Sequence, residues 1–165
     1  MQLDIFGGDK AAPRSYVAYC DGACKGNGQG KDANGGWGLT LRDAGGPVLE
    51  EAFGGALGTT NNKMELTAAI ETLRRVPEGS VIEVHTDSKY VIQGLTEWMP
   101  GWKRKNWRTA GGDAVKNVEL WKELDALYAK RKVTMTWVRG HNGDPGNERA
   151  DELANQGAAQ ALQGR

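Results

Sequence analysis

The chain has 165 residues, with 21 basic and 21 acidic side chains and therefore no formal net charge. That length suits a single domain with its own core, and the neutral balance excludes a purely electrostatic nucleic-acid binder while leaving room for a local basic patch. A hydrophobic fraction of 39% and a charged fraction of 25% exclude a disordered chain, and no apolar run approaches the roughly 18 residues of a membrane span.

Residues 1–14 carry Gly7-Gly8, Asp9-Lys10 and Pro13 and read as a short extension with no signal-peptide pattern, so the expected compartment is the cytoplasm. A domain is expected over residues 15–162. Residues 15–21 (SYVAYCD) are rich in aromatic and β-branched types and predict a strand. Residues 22–34 are Gly-rich and polar, which predicts a loop. Residues 36–42 alternate Trp37, Leu39 and Leu41, a turn follows at residues 43–46, and residues 47–53 return as a third strand. Met64, Leu66, Ile70 and Leu73 recur at helical spacing, with Asn61 or Asn62 as the expected cap and Pro77-Glu78-Gly79 as the stop. A strand over residues 81–86, a short helix over 88–95, a helix over 118–130 and a strand over 133–138 come next. Asp144-Pro145 then predicts an N-cap and first turn of a last helix running through Ala158. Three meander strands followed by strands separated by helices predict a mixed five-stranded α/β sheet, the later connections being parallel crossovers.

In this reading Asp21 ends the first strand, Asp87 ends the fourth, Glu65 lies in the first turn of a helix and Asp151 in the second turn of the last. Sites in such sheets form at the carboxyl ends of parallel strands. Taken singly, each acid also suits a strand-end cap or a helix dipole. Brought together, four carboxylates repel and call for a hard cation such as Mg²⁺ or Mn²⁺.

Four segments carry a family resemblance: Tyr19-Cys20-Asp21-Gly22-Ala23-Cys24-Lys25-Gly26-Asn27, Thr59-Thr60-Asn61-Asn62-Lys63-Met64-Glu65-Leu66, Thr86-Asp87-Ser88-Lys89-Tyr90-Val91, and Trp137-Val138-Arg139-Gly140-His141 with Asn147-Glu148-Arg149-Ala150-Asp151-Glu152-Leu153-Ala154. Together and in this order they resemble the motifs of type 1 ribonucleases H, from about Tyr16 to Ala159. The resemblance implies sheet order 3-2-1-4-5 with the first three strands antiparallel. It implies Asp21, Glu65, Asp87 and Asp151 as ligands of two Mg²⁺ or Mn²⁺ ions, with Asp21 between them, and His141 as a catalytic group that moves a proton or assists product release, a surface-loop histidine being the other reading of that residue. The implied activity is endonucleolytic hydrolysis of the RNA strand of RNA/DNA hybrids, leaving 5′-phosphate and 3′-hydroxyl ends.

Residues 98–117 set Lys103, Arg104, Lys105, Arg108 and Lys116 against a single acid, Asp113, a local charge of +4, with Trp98, Trp102 and Trp107 interleaved. Cations among aromatics suit a nucleic-acid strand, and a helix with a buried Trp stripe and a solvated basic face is the other reading of the same pattern. The segment is similar to the family's basic protrusion, which grips the DNA strand. Asn106 stands where the family often has Gly, and Asn tolerates the left-handed turn. The resemblance further implies that Thr60 and Asn117 bind a DNA phosphate and that Asn27, Asn61 and Asn62 lie near the minor groove. Against a catalytic role, His85 in mid-strand reads as structural, and Cys20 and Cys24 as ordinary thiols lacking further zinc ligands nearby. The rivals are a resolvase or transposase core and a hybrid-binding module without catalysis. The first does not account for the Trp-basic segment and the second does not account for a complete set of acids. A monomer is expected.

Overall fold

The computed structural model describes residues 14–25, 33–140 and 142–163. Most of the predicted extension, together with Asn27 and His141, lies outside these residues.

Five strands form one sheet in the order β3-β2-β1-β4-β5: β1 (Ser15–Cys24), β2 (Asn34–Asp43), β3 (Val48–Leu57), β4 (Val81–Thr86) and β5 (Lys132–Trp137). β1–β2 and β2–β3 pair antiparallel, and β1–β4 and β4–β5 pair parallel, as expected. Helix α1 (Asn61–Arg74) follows the meander and packs on β1 and β2. Helices α2 (Lys89–Gln93), α3 (Met99–Arg104) and α4 (Val118–Ala129) separate β4 from β5, and α5 (Pro145–Gln163) closes the chain over β1, β2 and β3.

Each meander strand runs about three or four residues beyond its predicted limits, and the reason is tertiary. Glycine-rich stretches read as loops because they carry no side chain to bury. Here their bareness lets α5 lie directly on the sheet: a Cβ on Gly36 would collide with the backbone of Ala154 and Ala158, and one on Gly55 with Gly157. Strand pairing then continues through the glycines.

The helix expected over residues 88–95 ends its α part at Gln93 but continues through a widened π turn, Gly94–Trp98, into α3. That turn brings the bare Gly94 backbone against the Trp121 ring, which fills the space a side chain would need. The cap of α1 is Thr60, whose hydroxyl accepts from Lys63 N at 3.2 Å, not Asn61 or Asn62, which are its first helical residues. Glu65 therefore sits in the second turn rather than the first. Asp144 caps α5 as predicted, accepting from Asn147 N at 3.1 Å, with Pro145 at the first helical position.

The main core lies between the sheet and α1 with α4. Ala18, Cys20, Leu39, Leu66, Ile70, Leu73, Val84, Trp121 and Leu124 are all buried there. On the opposite face a second layer of Ala150, Leu153, Ala154 and Ala158 seats α5. Its small residues match the glycines beneath them and fix the helix close to β2. No helix among the described residues is long and apolar enough to cross a membrane.

Candidate active site

Four elements converge where the pairing of β1 with β4 stops. The last parallel pair is Tyr19 with His85, and the chain supplies an acid two residues beyond each, Asp21 and Asp87. Asp21 lies within β1 rather than at its end, because β1 runs on to Cys24. Asp87 follows β4 directly, and Ser88 caps α2 by accepting from Val91 N at 3.1 Å.

Glu65 reaches the same point from α1. Gly22 makes this possible: a Cβ there would lie 2.5 Å from Glu65 N and 2.6 Å from the Met64 carbonyl carbon. With only hydrogen in that place, α1 crosses β1 at backbone distance, and Gly22 N donates to Glu65 Oε1 at 2.6 Å. One carboxylate oxygen each from Asp21, Glu65 and Asp87 lies within 4.8 Å of the others. Asp151, from the second turn of α5, lines the same groove and adds to the negative charge that raises Asp21. The four acids line one groove of about 370 Å³ with Lys25, Asn61 and Asn155.

Asp21 is 5% exposed and Glu65 8%. Burial, then the charges of Glu65 and Asp87, push the Asp21 carboxyl up to about 10. Burial and Asp87 push Glu65 up to about 8, against the opposing hydrogen bond from Gly22. No salt bridge among the described residues neutralises any of the four acids. A close, all-oxygen, anionic donor set of this kind fits a hard divalent cation, which would remove the repulsion that now forces protons onto the cluster. Asp21 is the member on which the other three acids all act.

A second depression of about 710 Å³ adjoins the groove, with Cys24 and Asn61 shared between them. Thr60, Asn61, Asn62, Lys63, Lys116 and Asn117 line it. Thr60 and Asn117, distant in sequence, are thus brought together. Asn117 is held in the left-handed conformation (φ 60°), and its Nδ2 donates to the Tyr90 hydroxyl at 3.1 Å, as does Trp121 Nε1.

The Trp-basic segment is partly an aromatic core. Trp102 lies 5.9 Å from Trp98, 5.3 Å from Trp121 and 6.4 Å from Trp107, centre to centre. Trp98 remains 37% exposed. Asn106 takes the left-handed turn (φ 57°), and so does Trp107 (φ 64°). Lys103, Arg104 and Lys105 are all exposed, and Lys103 pairs with Asp125 of α4 at 3.2 Å. The local charge therefore has a partner outside the segment that a count along the chain does not include.

Asn155, one turn beyond Asp151, lines the groove without having stood out in the sequence, and Gly140 of the last motif lies where a Cβ would be 2.7 Å from Asp87 Oδ2. The i+4 spacing from Asp151 was the available signal for the first. His85 stacks on Tyr19 and contacts Glu83 at 3.0 Å, a packing role in keeping with the structural reading. Cys20 is buried, which raises its thiol far above the ordinary range and leaves it inert, and both cysteines are free.

A 3-2-1-4-5 sheet with a buried acidic centre where its central parallel strands end defines the ribonuclease H-like class of α/β folds. The RNase H family model matches residues 13–159. Proteins named ribonuclease H are similar over most of their length: that of Cupriavidus pinatubonensis is 53% identical over 146 residues, 88% of this chain and 97% of the relative. That of Paracidovorax citrulli is 55% identical over 148 residues, 88% of this chain and 95% of the relative. Among solved structures, a type 1 ribonuclease H with the type 2 active-site motif superposes with a TM-score of 0.81 at 31% identity, covering 92% of this chain and 75% of the other. A foamy viral protease-reverse transcriptase in complex with RNA/DNA hybrid shares the fold, with a TM-score of 0.76 at 20% identity over 97% of this chain and 21% of the other. The chain belongs to the ribonuclease H family and is an enzyme, an endoribonuclease of the hydrolase class.

Proposed function

We propose that this enzyme hydrolyses the RNA strand of RNA/DNA hybrids endonucleolytically, with Mg²⁺ or Mn²⁺ held by Asp21, Glu65, Asp87 and Asp151, and leaves 5′-phosphate and 3′-hydroxyl ends. The observation that carries the reading is the cluster of four acids, with Asp21 and Glu65 buried, beside a polar depression lined by Thr60 and Asn117. Two divalent ions, when bound, supply the charge that lets a water lose its proton near neutral pH and a 3′-oxygen leave.

The chain's own residues divide the remaining work. Asp21, on which the other three acids all act, would hold both ions; Glu65 and Asp87 would serve the leaving-group side and Asp151 the side of the attacking water. Gly140 brings the backbone against Asp87, and His141, the next residue in the chain, is the group that moves a proton as the product departs. Asn27, Asn61, Asn62 and Glu65 read the minor groove, where the 2′-hydroxyl marks the RNA strand. Thr60 and Asn117 take a phosphate of the DNA strand, and Trp98, Trp102, Lys103, Arg104 and Lys105 follow its backbone, the exposed Arg104 and Lys105 most directly. The enzyme works as a monomer in the cytoplasm.

The test is cleavage of uniformly labelled RNA/DNA, RNA/RNA and DNA/DNA duplexes with and without Mg²⁺. The reading expects RNA fragments ending in 5′-phosphate and 3′-hydroxyl, from the hybrid alone and only with metal. Cleavage without metal, or equal cleavage of RNA/RNA, refutes it.

A further inference from the structure

Directly beneath the acids lies an aromatic layer that the proposed mechanism does not use. Tyr19 and His85 face each other across the β1–β4 pair, and their rings stack at 4.4 Å and 19°. Side chains two residues apart on a strand share a face, so Asp21 stands next above Tyr19 in β1. Asp87 lies two residues on from His85.

The Tyr19 ring also meets the start of α5. A Cβ on Gly146, the second residue of that helix, would lie 2.5 Å from Tyr19 Cε1 and 2.6 Å from Cγ, with Cδ1 nearer still. Gly146 is not among the residues with positive φ, so closeness rather than backbone conformation calls for glycine here. Farther along, α5 rests on bare backbone at Gly38 and Gly36, which touch Ala150, Ala154 and Ala158. The helix is thus seated at its middle on β2 and at its start on Tyr19. Asp151 stands five residues beyond Gly146 and directly after Ala150, the first of the residues seated on Gly38. A helix moves as a rigid rod over so short a span, so the height of its first turn sets where the Asp151 carboxylate stands relative to Asp21.

We propose that Tyr19 is a positioning residue for the carboxylate site: its ring props the first turn of α5 and thereby sets the spacing of Asp151 from Asp21. The proposal rests on the reading of these acids as metal ligands. It gives Gly146 a role in metal binding although its own backbone bears no ligand.

The test is calorimetric titration of Mn²⁺ alone into the free enzyme, without substrate, for four variants alongside wild type. Gly146→Ala pushes the first turn off the ring and weakens Mn²⁺ binding about tenfold, the usual scale for residues that orient ligands. Alanine is the better helix former, so helix propensity does not account for a loss. Tyr19→Val, which suits a strand, removes the prop and also weakens binding. In the Tyr19→Val background, adding Gly146→Ala changes the Kd by no more than about twofold, because the obstruction is gone.

Asp151→Asn separates the two levels of the argument. If it leaves Mn²⁺ binding unchanged, the metal-site reading falls. If it weakens binding while a folded Gly146→Ala protein binds Mn²⁺ as wild type does, or loses equally in both Tyr19 backgrounds, the role of Tyr19 is overturned. Should Gly146→Ala not fold, Tyr19→Val alone decides, and an unchanged Kd overturns the proposal.

Discussion

Replacing Asp21 by Asn tests the electrostatics of the site without reference to catalysis. Burial and the neighbouring acids push the Asp21 carboxyl from its ordinary 3.8 up to about 10. The folded metal-free protein therefore holds a proton there at neutral pH that the unfolded chain has released. A group whose value is raised on folding contributes stability in full below the unfolded value, and that contribution is lost as pH rises through the folded one. Between those limits one such proton makes folding stability fall with pH by up to about 1.4 kcal/mol per unit. From pH 5.5 to 7.5 the Asp21 share is thus up to about 3 kcal/mol. Glu65, raised to about 8, adds a slope of the same sign. Asp21→Asn removes the first share, so the variant is the less pH-sensitive of the two. Urea unfolding with a chelator at both pH values measures the difference. Adding Mg²⁺ stabilises the wild type much more than the variant, and hybrid cleavage by the variant is nearly abolished. Parallel pH slopes for the two proteins refute the buried-charge argument, and near wild-type cleavage by folded Asp21→Asn refutes its place between the ions.

Three further outcomes are expected. His141→Ala lowers kcat about a hundredfold without abolishing cleavage, as for loss of a proton-transfer group; a variant as inactive as Asp21→Asn, or fully active, refutes this. Neutralising Arg104 and Lys105 raises KM for hybrid and flattens its salt dependence, by up to about 0.9 in log–log slope for each phosphate no longer neutralised, whereas Lys103→Ala alone does less because Asp125 already holds that ammonium; unchanged KM and salt slope show a merely solvated face. Gly22→Ala forces β1 and α1 apart and destabilises the fold by about 1–3 kcal/mol, measured as a lower urea midpoint; an unchanged midpoint contradicts the close backbone approach.

The order of elements was legible in the sequence because each carries its own short-range signal. Helical spacing marks α1 and α4, Asp144-Pro145 marks the start of α5, and aromatic and β-branched runs mark β1 and β4. The four acids were legible as candidates through the motifs around them, and Asp21 and Asp87 also through their places near strand ends. Other features depended on partners far along the chain. The strands run through Gly22, Gly36 and Gly55 because helix backbones fill the space those residues leave. Lys103 is paired because α4 returns beside it with Asp125. Thr60 and Asn117 share a depression, and Gly146 lies on the Tyr19 ring, only through the packing of whole elements. Spacing along a chain registers what lies within a turn or two. Close approach between elements, and the burial that raises the Asp21 carboxyl, arise only when the tertiary fold brings distant backbones to van der Waals distance and excludes water between them.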